Sequence, residues 1–582
     1  MKKVSNVISL VKLISKNNLK NLLFLLIFIF FASMLEIVAL LCIAPIIKIS
    51  TGNLEVNDKA SSLLENFFPF IDINNPISVF SLLFLFAILA SIMMIISNYF
   101  SQKIKYQYCE SVLKNSINDI FNSTSIFFSH SQQGKLINTF TKELQNIGDS
   151  LASISRIASY LLQSLFYLFI IIFLSVKSAF LIFIILILVY SPLFFLGKIS
   201  RELGKKNTIS NNIFFTSLQE SFGFFKGILS YGIQKRSVEK ISNNFKVSAS
   251  AAIKSYVADF TITSLFIPLT ILGISMIFIF KNSLNISIAE VSIVIITFYR
   301  ISSRLNLAAK DKNILDKSIY SFDQINEIRE IAKNYSLKFN NLNKFDFKDI
   351  LSVSNLYQKY DNSEILTNIN LNFKKNNITA LIGKSGSGKT SLADILSGIN
   401  KPSAGKVEID GKNFYDIEYE TLRSKICYVS QESLLLNLPI KENIRLYDKN
   451  ISDNDIYNAC KLSNCDEFIQ KLPNTYDTYV GERGSRLSFG QIQRISLARA
   501  IVRKPEILIL DEVTSALDNI SEKFINETIL KLRDRCTVII IAHRLSLLKE
   551  VDQIYIIENG HVKESGKYND LISKSKIFKS FV

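Results

Sequence analysis

Eight consecutive residues, Gly383 to Thr390, read Gly-Lys-Ser-Gly-Ser-Gly-Lys-Thr and directly follow the apolar run Thr379 to Ile382. A glycine-rich turn between a buried strand and a helix lets backbone N–H groups surround phosphate oxygens. Lys389 then places a cation on the β- and γ-phosphates, and the Thr390 hydroxyl can ligate Mg²⁺. The sequence therefore predicts a phosphate-binding loop. Its members are Gly383, Lys384, Ser385, Gly386, Ser387, Gly388, Lys389, Thr390 and Ser391.

Two further apolar runs end in side chains that suit phosphate chemistry. Ile507 to Leu510 is typical of a central parallel strand and runs into Asp511 and Glu512. We expect Asp511 to bind Mg²⁺ through water and Glu512 to act as general base on an attacking water. The second run, Thr537 to Ile541, leads to His543, which should contact the γ-phosphate from the same sheet edge.

The N-terminal half contains apolar runs long enough to cross a bilayer, which takes about 20 residues per helix. Mean hydropathy is +0.25 over 582 residues, and charged residues are nearly absent from these runs. The sequence thus predicts a membrane part with six spans. They cover approximately residues 21–47, 78–99, 154–175, 178–198, 259–280 and 284–305.

The net charge of +17 is spread along the chain, which argues against nucleic-acid binding. Lysines without acids precede the first span, so the N-terminus should be cytoplasmic. The six cysteines form no CxxC pair and are expected to be free thiols. The first span is too long for a cleavable signal and should remain as an anchor.

The connections between spans two and three, and between spans four and five, are long and show helical periodicity. Each should end in a cytoplasmic turn that presents apolar residues for docking, although packing between the helices themselves is the alternative. The residues concerned are Phe127, Phe128, Gly134 and Leu136 in the first turn, and Leu218, Glu220, Phe222, Gly223 and Phe225 in the second. Residues Lys59 to Phe68 form either a short amphipathic helix or a loop.

The segment Leu487-Ser488-Phe489-Gly490-Gln491 resembles the signature sequence LSGGQ of ABC proteins, and residues 349–582 resemble an ABC nucleotide-binding domain. The resemblance implies that Tyr360 stacks on adenine, with Tyr357 as the less well placed alternative, and that Gln431 contacts Mg²⁺ and assists catalysis. It also implies an exporter-type loop at Glu482 and a D-loop ending at Asp518. Leu487, Ser488, Gly490 and Gln491 would then contribute to nucleotide binding.

In this family a second cassette covers the γ-phosphate, so the resemblance implies a dimer. Because Glu512 and His543 are both present, a homodimer with two active sites is the simplest assembly, and a heterodimer is the alternative. Phe489 departs from the family pattern. It leaves the phosphate-contacting Ser488 and Gly490 in place, so hydrolysis should be retained.

Residues 1–310 resemble the permease half of ABC exporters. The expected fold is a six-helix all-α transmembrane domain, a linker at 311–348, and an α/β P-loop ABC ATPase domain at 349–582. The resemblance implies an ATP hydrolase coupled to export, with ATP and Mg²⁺ as cofactors. It would be a multi-pass protein of the inner (plasma) membrane with a cytoplasmic ATPase domain.

Three charged residues fall within or beside the apolar spans. Glu36 lies inside the first span, where insertion of an ionised carboxylate costs about 2.5 to 3.5 kcal/mol, so it needs a partner or a water-filled cavity. Arg300 and Arg304 near the end of the sixth span would suit an anionic phosphate head group. Snorkelling of both arginines to the cytoplasmic surface is the alternative.

Glu36 followed by Pro45, and Tyr299 followed by Arg300, resemble patterns of bacterial lipid-linked oligosaccharide flippases among the ABC exporters. That resemblance implies a membrane lipid or lipid-linked glycan as cargo, with Glu36, Arg300 and Arg304 contacting it. The alternatives are a peptide, bacteriocin or other lipid exporter, and a nucleotide-gated channel or regulator.

Overall fold

The computed structural model describes residues 2–51, 59–69, 72, 74–174, 176–190, 197–279, 288–360, 363–514, 517–542 and 547–581. The chain divides into two compact units. The first comprises residues 1–123 and 127–334, and the second comprises residues 124–126 and 335–582.

The secondary structure described in the first unit consists of helices joined by short turns. Its helices are α1 (Lys2–Leu41), α2 (Ile43–Thr51), α3 (Lys59–Phe67), α4 (Pro76–Phe121), α5 (Ser125–His130, which begins in the second unit), α6 (Gln133–Asn138), α7 (Leu144–Leu174), α8 (Val176–Tyr190), α9 (Gly197–Gly223), α10 (Phe225–Ser230), α11 (Gln234–Ile279) and α12 (Ile288–Asn334). A π-helical turn, Thr139–Glu143, joins α6 to α7.

The second unit contains two sheets. Its strands are β1 (Ile350–Tyr360), β2 (Ser363–Lys374), β3 (Ile378–Ile382), β4 (Ala404–Ile409), β5 (Lys412–Asn413), β6 (Ile426–Val429), β7 (Ile507–Asp511), β8 (Thr537–Ile541), β9 (Gln553–Glu558) and β10 (His561–Gly566). One sheet is antiparallel, in the order β2-β1-β4-β5. The other has the order β10-β9-β3-β8-β7-β6 and is parallel except for β10.

Helices cover and separate these sheets. They are α13 (Lys389–Leu396), α14 (Tyr419–Lys425), α15 (Ile440–Arg445), α16 (Asp453–Leu462), α17 (Asp466–Gln470), α18 (Phe489–Ile501), α19 (Asn519–Lys531), α20 (Tyr568–Lys574) and α21 (Lys576–Lys579). Strands β3, β7 and β8 are buried at every residue, as expected for apolar runs covered on both faces. The predicted α/β cassette is confirmed, and its parallel strands bring the residues that follow them to one edge.

Five helices among the described residues are long and apolar enough to cross a membrane. They are Lys20–Ile47, Pro76–Phe121, Gln133–Phe173, Gln234–Ile279 and Val291–Asn334. The predicted span at 178–198 coincides with a shorter apolar helix, Val176–Ile187, and residues 191–196 lie outside the described part of the chain. Residues 311–334, which the sequence analysis assigns to a linker, continue α12 to Asn334.

Residues 59–67 form a helix, so the helical interpretation of this segment is confirmed. Leu64 is buried together with Cys42 and Val79, which fixes α3 against the N-terminal end of α4. The first predicted turn is less exposed than expected. Phe127 is 1% exposed, and Gly134 is buried so closely against Thr216 that an added Cβ would lie 2.5 Å from the Thr216 Cα. In the second turn Phe222 and Phe225 are exposed, at 73% and 55%.

One face of α9 carries small or polar residues at every fourth position: Ser200, Gly204, Thr208, Asn212 and Thr216. The Ser200 hydroxyl lies 3.4 Å from Asn313 Oδ1, and a Cβ at Gly204 would lie 2.8 Å from the Lys317 Cα. Asn212 donates to Gln324 at 2.9 Å and accepts from Asn138 at 2.6 Å. We call this stripe the polar seam. It packs α9 against α12 and α6 through hydrogen bonds and close backbone approach.

Glu143, the last residue of the π-helical turn, contacts the polar seam at Thr208 and is completely buried. Its carboxylate accepts hydrogen bonds from Asn138 (3.2 Å), Asn146 (3.1 Å), Thr208 (3.1 Å) and Ser321 (2.5 Å). Within the described residues no Lys or Arg forms an ion pair with it, so neutral donors alone replace its hydration. The carboxylate therefore joins α6, α7, α9 and α12.

We expect Glu143→Leu to destabilise the first unit because it leaves three buried donors, on Asn138, Thr208 and Ser321, and the half-buried Asn146 amide without their shared acceptor. Each unsatisfied donor costs about 1–3 kcal/mol. The measurement is the thermal unfolding midpoint of the purified protein, which should fall by several degrees. Glu220→Leu is the matched control, because the Glu220 side chain is 64% exposed and its ion pair with Lys240 is long, at 3.8 Å. Equal midpoints for both variants would contradict the role of Glu143.

Candidate functional site

The predicted phosphate-binding loop connects β3 to the N-terminus of α13. Gly388 ends the loop with φ of 95°, and a Cβ there would lie 2.6 Å from Leu366 Cδ2. Glycine is therefore required by both the backbone conformation and the available space. The Lys389 ammonium donates to the carbonyls of Gly383 and Lys384, each at 2.9 Å, and lies 3.4 Å from Ser387 Oγ. The loop thus curves around the lysine side chain.

Asp511 ends β7 beside this loop and is 2% exposed. Its Oδ2 accepts a hydrogen bond from the Tyr428 hydroxyl at 3.0 Å, and the carboxyl also interacts with the Thr390 side chain. Its other oxygen, Oδ1, is buried and has no hydrogen-bond partner among the described residues. A buried carboxylate oxygen next to a hydroxyl fits Mg²⁺, which prefers oxygen ligands and keeps several waters. Thr390 and Asp511 are the residues that would hold the ion.

Burial changes the protonation equilibria of these groups. It raises the pKa of Asp511, with Glu512 adding to the shift and the Tyr428 and Thr390 hydroxyls opposing it. Burial also lowers the pKa of Lys389, while Glu512 and Asp511 act in the opposite direction. Behind them, burial raises the pKa of Asp394 to about 6. Both the lysine and the carboxylates are therefore poorly hydrated and gain from ligands of opposite charge.

Glu512 follows Asp511 with φ of 48°, an unusual conformation for a non-glycine residue. Gln431 donates to Glu512 Oε2 at 2.9 Å, which brings together two of the predicted catalytic residues. The backbone of Gln431 is held in turn, since Gln493 on α18 donates to its carbonyl at 2.9 Å. The third predicted catalytic residue, His543, lies outside the described residues.

The segment resembling the signature sequence forms the start of α18. Ser488 caps the helix: its hydroxyl accepts from the Gln491 N–H at 3.3 Å, and the Gln491 side chain accepts from the Ser488 N–H at 2.9 Å. Gly490 is buried, and a Cβ there would lie 2.6 Å from Ser521 Oγ. Phe489 is 43% exposed at the helix terminus.

Arg494, one turn further along α18, fixes the helix to its neighbours. Its guanidinium lies 4.8 Å from the Phe468 ring centroid and 5.1 Å from that of Phe524. It also donates to the Asn464 carbonyl at 2.8 Å. These contacts on both faces of the guanidinium stabilise the orientation of the helix.

Two other predicted nucleotide contacts are described. Tyr360 ends β1, and its hydroxyl lies 3.5 Å from Asn400 Nδ2. Asp518 caps α19 by accepting from the Ser521 N–H at 3.2 Å, and hydrogen bonds from the Ser521 side chain and backbone lower the pKa of Asp518. Residues 515 and 516 of the predicted D-loop lie outside the described residues.

The charged residues predicted to contact cargo lie together in the first unit. Glu36 Oε1 is 2.8 Å from Arg300 Nη1 and 3.2 Å from Arg304 Nη2, and its Oε2 is 3.3 Å from Arg304 Nη2. The predicted partner for Glu36 is therefore a pair of arginines. All three line a cavity of about 430 Å³ between α1, α4 and α12, which we call the arginine cavity.

The arginine cavity has more positive than negative charge. One carboxylate faces two guanidinium groups, and the Arg304 Nε is buried with no partner among the described residues. Arg300 remains 43% exposed. Both arginine side chains point towards Glu36.

Sequence reasoning did not find the roles of Tyr428 and Gln493. Tyr428 lies on β6, three residues before Gln431. Because β6 pairs with β7, the Tyr428 hydroxyl reaches Asp511 at the end of β7. The position of Tyr428 on this strand could have indicated the contact. Gln493 gave no signal, because only the packing of α18 brings it to Gln431. On the membrane side, Tyr167 on α7 lies next to Glu36 and Arg304.

Comparison with known proteins identifies both units. Residues 22–303 match the family model of the ABC transporter transmembrane region, and residues 366–515 match a second family model, described as ABC transporter. The heterocyst differentiation ATP-binding protein HepA of Nostoc sp. is 32% identical over 465 residues, or 78% of this chain and 75% of HepA.

Two further proteins match different shares of this chain. ABC transporter B family member 2 of Dictyostelium discoideum is 41% identical over 226 residues, covering 39% of this chain and 16% of that protein. A solved structure of a bacterial Atm1-family ABC exporter with ATP bound superposes with a TM-score of 0.82 at 20% identity, covering 97% of each chain. This chain belongs to the ABC transporter family, and it joins a helical transmembrane region to an ATP-hydrolysing domain that binds ATP with Mg²⁺.

Proposed function

We propose that this exporter moves an anionic lipid-linked glycan, or a related polyprenyl-phosphate lipid, from the cytoplasmic to the outer leaflet of the inner membrane. The observation that carries the proposal is the arginine cavity, in which two arginines share the single carboxylate of Glu36. A phosphate head group would provide the additional negative charge. The lysines that precede the first apolar span support a cytoplasmic location for the N-terminus and the ATPase domain.

The domain roles follow from the same proposal. Residues 1–310 form a transmembrane domain of six helices, in which Val176–Tyr190 is part of the fourth span and the helices of the five long spans are the others. Residues 349–582 form the ATPase domain, and 311–348 connect the two. The exposed aromatic residues Phe222 and Phe225 support a docking role for the second turn.

In the ATPase domain, Lys389 and the loop Gly383 to Ser391 bind the phosphates, and Thr390, Asp511 and Gln431 hold Mg²⁺. The ion would neutralise phosphate charge as the terminal phosphoryl group leaves. Glu512 accepts a proton from the attacking water, and Gln431 orients its carboxylate through the 2.9 Å hydrogen bond. His543 contacts the γ-phosphate, and Tyr360 and Asp518 complete the nucleotide site.

The assembly is a homodimer. Ser488, Gly490, Leu487 and Gln491 of one protomer cover the nucleotide held by the other, and the exposed Phe489 ring lies at that surface. Closure of the two cassettes around ATP drives the membrane part open to the outside, and hydrolysis resets it.

For cargo, the cavity favours a head group with negative charge over a cation. Arg304 keeps an unpaired buried donor, and Arg300 has four N–H groups beyond the one that contacts Glu36. Charge-assisted hydrogen bonds from these donors to phosphate oxygens are worth about 1.5–3 kcal/mol each. The lipid tail remains in the bilayer while the head group crosses.

Glu512→Gln should lower ATP hydrolysis by at least about 100-fold, because the amide keeps the size of the side chain but cannot accept a proton. ATP binding should persist, since the phosphate loop is unchanged. Steady-state phosphate release and nucleotide binding by the purified protein measure the two properties. Glu506→Gln is the control: Glu506 pairs with Lys425 at 3.0 Å just before β7, at the opposite end of that strand. Unchanged hydrolysis in Glu512→Gln would refute the proposed base.

Arg304→Ala and Glu36→Gln should change lipid response in opposite directions. In proteoliposomes, the lipid concentration for half-maximal ATPase stimulation by a polyprenyl-pyrophosphate oligosaccharide should rise about 10-fold or more in Arg304→Ala, as charge-assisted bonds are lost. It should fall in Glu36→Gln, because the carboxylate no longer competes with the phosphate.

Arg329→Ala provides the control on the same helix, because Arg329 pairs with Asp119 at 2.7 Å and does not line the cavity. It should leave the lipid response unchanged. The cargo proposal fails if this lipid neither stimulates ATP hydrolysis nor crosses the bilayer in the presence of the wild-type protein. Equal responses of Arg304→Ala and Arg329→Ala would remove the arginines from the proposed site.

A further inference from the structure

A second cavity adjoins the arginine cavity and differs from it in chemistry. It has a volume of about 340 Å³ and lies between α1, α4 and α7. Met94 and Ile95 line both cavities, so the two are neighbours along α4. We call the second one the hydroxyl cavity because of its polar lining, which consists of Ser97, Asn98, Ser101, Ser155, Arg156, Ser159 and Tyr160.

The charge of the hydroxyl cavity is balanced. Arg156 is its only lining residue with a permanent charge among those described, and both oxygens of Asp311 neutralise it at 2.8 and 2.7 Å. The guanidinium also donates to Ser153 at 2.9 Å. An anionic group gains little here, in contrast to the arginine cavity, where two arginines share one carboxylate.

Two of the four serine hydroxyls of this cavity, those of Ser97 and Ser159, are available for a ligand, whereas the Ser101 and Ser155 hydroxyls bond to each other at 2.9 Å. The lining serines are on α4 and α7. On the same helices, the hydroxyls of Ser91 and Ser164 each donate to the carbonyl four residues before them at 2.8 Å, as serines in apolar helices commonly do. Ser97 and Ser159 are 7% and 5% exposed, and neither forms a hydrogen bond with another described residue. The same holds for the Asn98 amide and the Tyr160 hydroxyl. Poorly hydrated hydroxyls without protein partners favour a polar ligand or water.

The remaining lining is apolar: Leu25 and Ile29 on α1, with Met94 and Ile95 on α4. A sugar ring combines hydroxyls around its edge with apolar faces, and it carries no charge. The volume lies within the range of small-molecule sites. Hydroxyl, amide and phenol groups can both donate to and accept from sugar hydroxyls.

We propose that the hydroxyl cavity binds a neutral carbohydrate, as a sugar subsite next to the phosphate subsite at Arg300 and Arg304. The proposal rests on the transport function proposed above and specifies its substrate: a lipid whose phosphate carries a sugar. It also predicts where the sugar lies along α1. The hydroxyl cavity contacts Leu25 and Ile29, whereas Glu36 lies further along α1, so the sugar site is nearer the N-terminal end of that helix.

The test uses cysteine protection in the full-length protein reconstituted in nanodiscs. Ser97→Cys and, separately, Ser91→Cys are introduced with Cys109→Ser, because Cys109 is the native cysteine that is not buried. Ser97 lines the hydroxyl cavity and Ser91, on the same helix, lines the arginine cavity. Alkylation by N-ethylmaleimide is timed with octyl glucoside, which has a neutral sugar head, or octyl phosphate, which has an anionic head without sugar.

Octyl glucoside should slow alkylation of Ser97→Cys at least about fivefold at a concentration where octyl phosphate slows it less than twofold. Adding Ser159→Ala should remove most of that protection. At Ser91→Cys the preference should be reversed. Equal protection of Ser97→Cys by both probes, or none by octyl glucoside, would overturn the sugar subsite, and so would full protection in the presence of Ser159→Ala.

The two proposals fail separately in this experiment. Loss of octyl phosphate protection at Ser91→Cys, with selective glucoside protection at Ser97→Cys, would refute the phosphate subsite and retain the sugar subsite. The reverse result would retain an anionic cargo without a sugar. If the hydroxyl cavity holds only water, neither probe slows alkylation of Ser97→Cys. That result would contradict the proposal.

Discussion

A charge in an apolar environment needs a partner, and this requirement organises the first unit. Glu36 on α1 is matched by Arg300 and Arg304 on α12. Lys105 on α4 is matched by Asp149 on α7, and Arg156 on α7 by Asp311 on α12. Each pair joins two helices at fixed positions along their axes. Because breaking such a pair leaves an uncompensated charge, these contacts restrict which helices can move apart.

In the ATPase domain, by contrast, buried charges keep positions that a ligand can fill. Lys389 and Asp511 are buried beside each other at the edge of the parallel sheet, and an oxygen of Asp511 has no partner among the described residues. The membrane arrangement balances most of its charge internally, whereas the nucleotide site keeps ligand positions on its carboxylate. The arginine cavity lies between these cases, since two cations share one anion.

The two units were not equally predictable from sequence. The phosphate loop, the Asp511-Glu512 pair and the signature helix depend on residues that are adjacent in the chain, so their strand and helix contexts could be recognised locally. The contact between Glu36 and Arg300 joins residues 264 positions apart, and only helix packing determines it. The same is true of the contact between Gln493 and Gln431, which are 62 positions apart. What buries Phe127 could not be predicted, because an aromatic residue at a turn gives no local sign of what covers it.

The polar seam on α9 has a consequence for motion. Its residues recur every four positions, which is the spacing of one of the ridges on a helix surface. An axial shift of α9 by about 6 Å, four residues at 1.5 Å each, would bring Ser200 or Thr208 to the place of Gly204, where the Lys317 backbone leaves no room for a Cβ. The same shift would move Thr208 away from the Glu143 carboxylate. The seam therefore resists sliding of α9 along α12, and it defines a single register between the two helices.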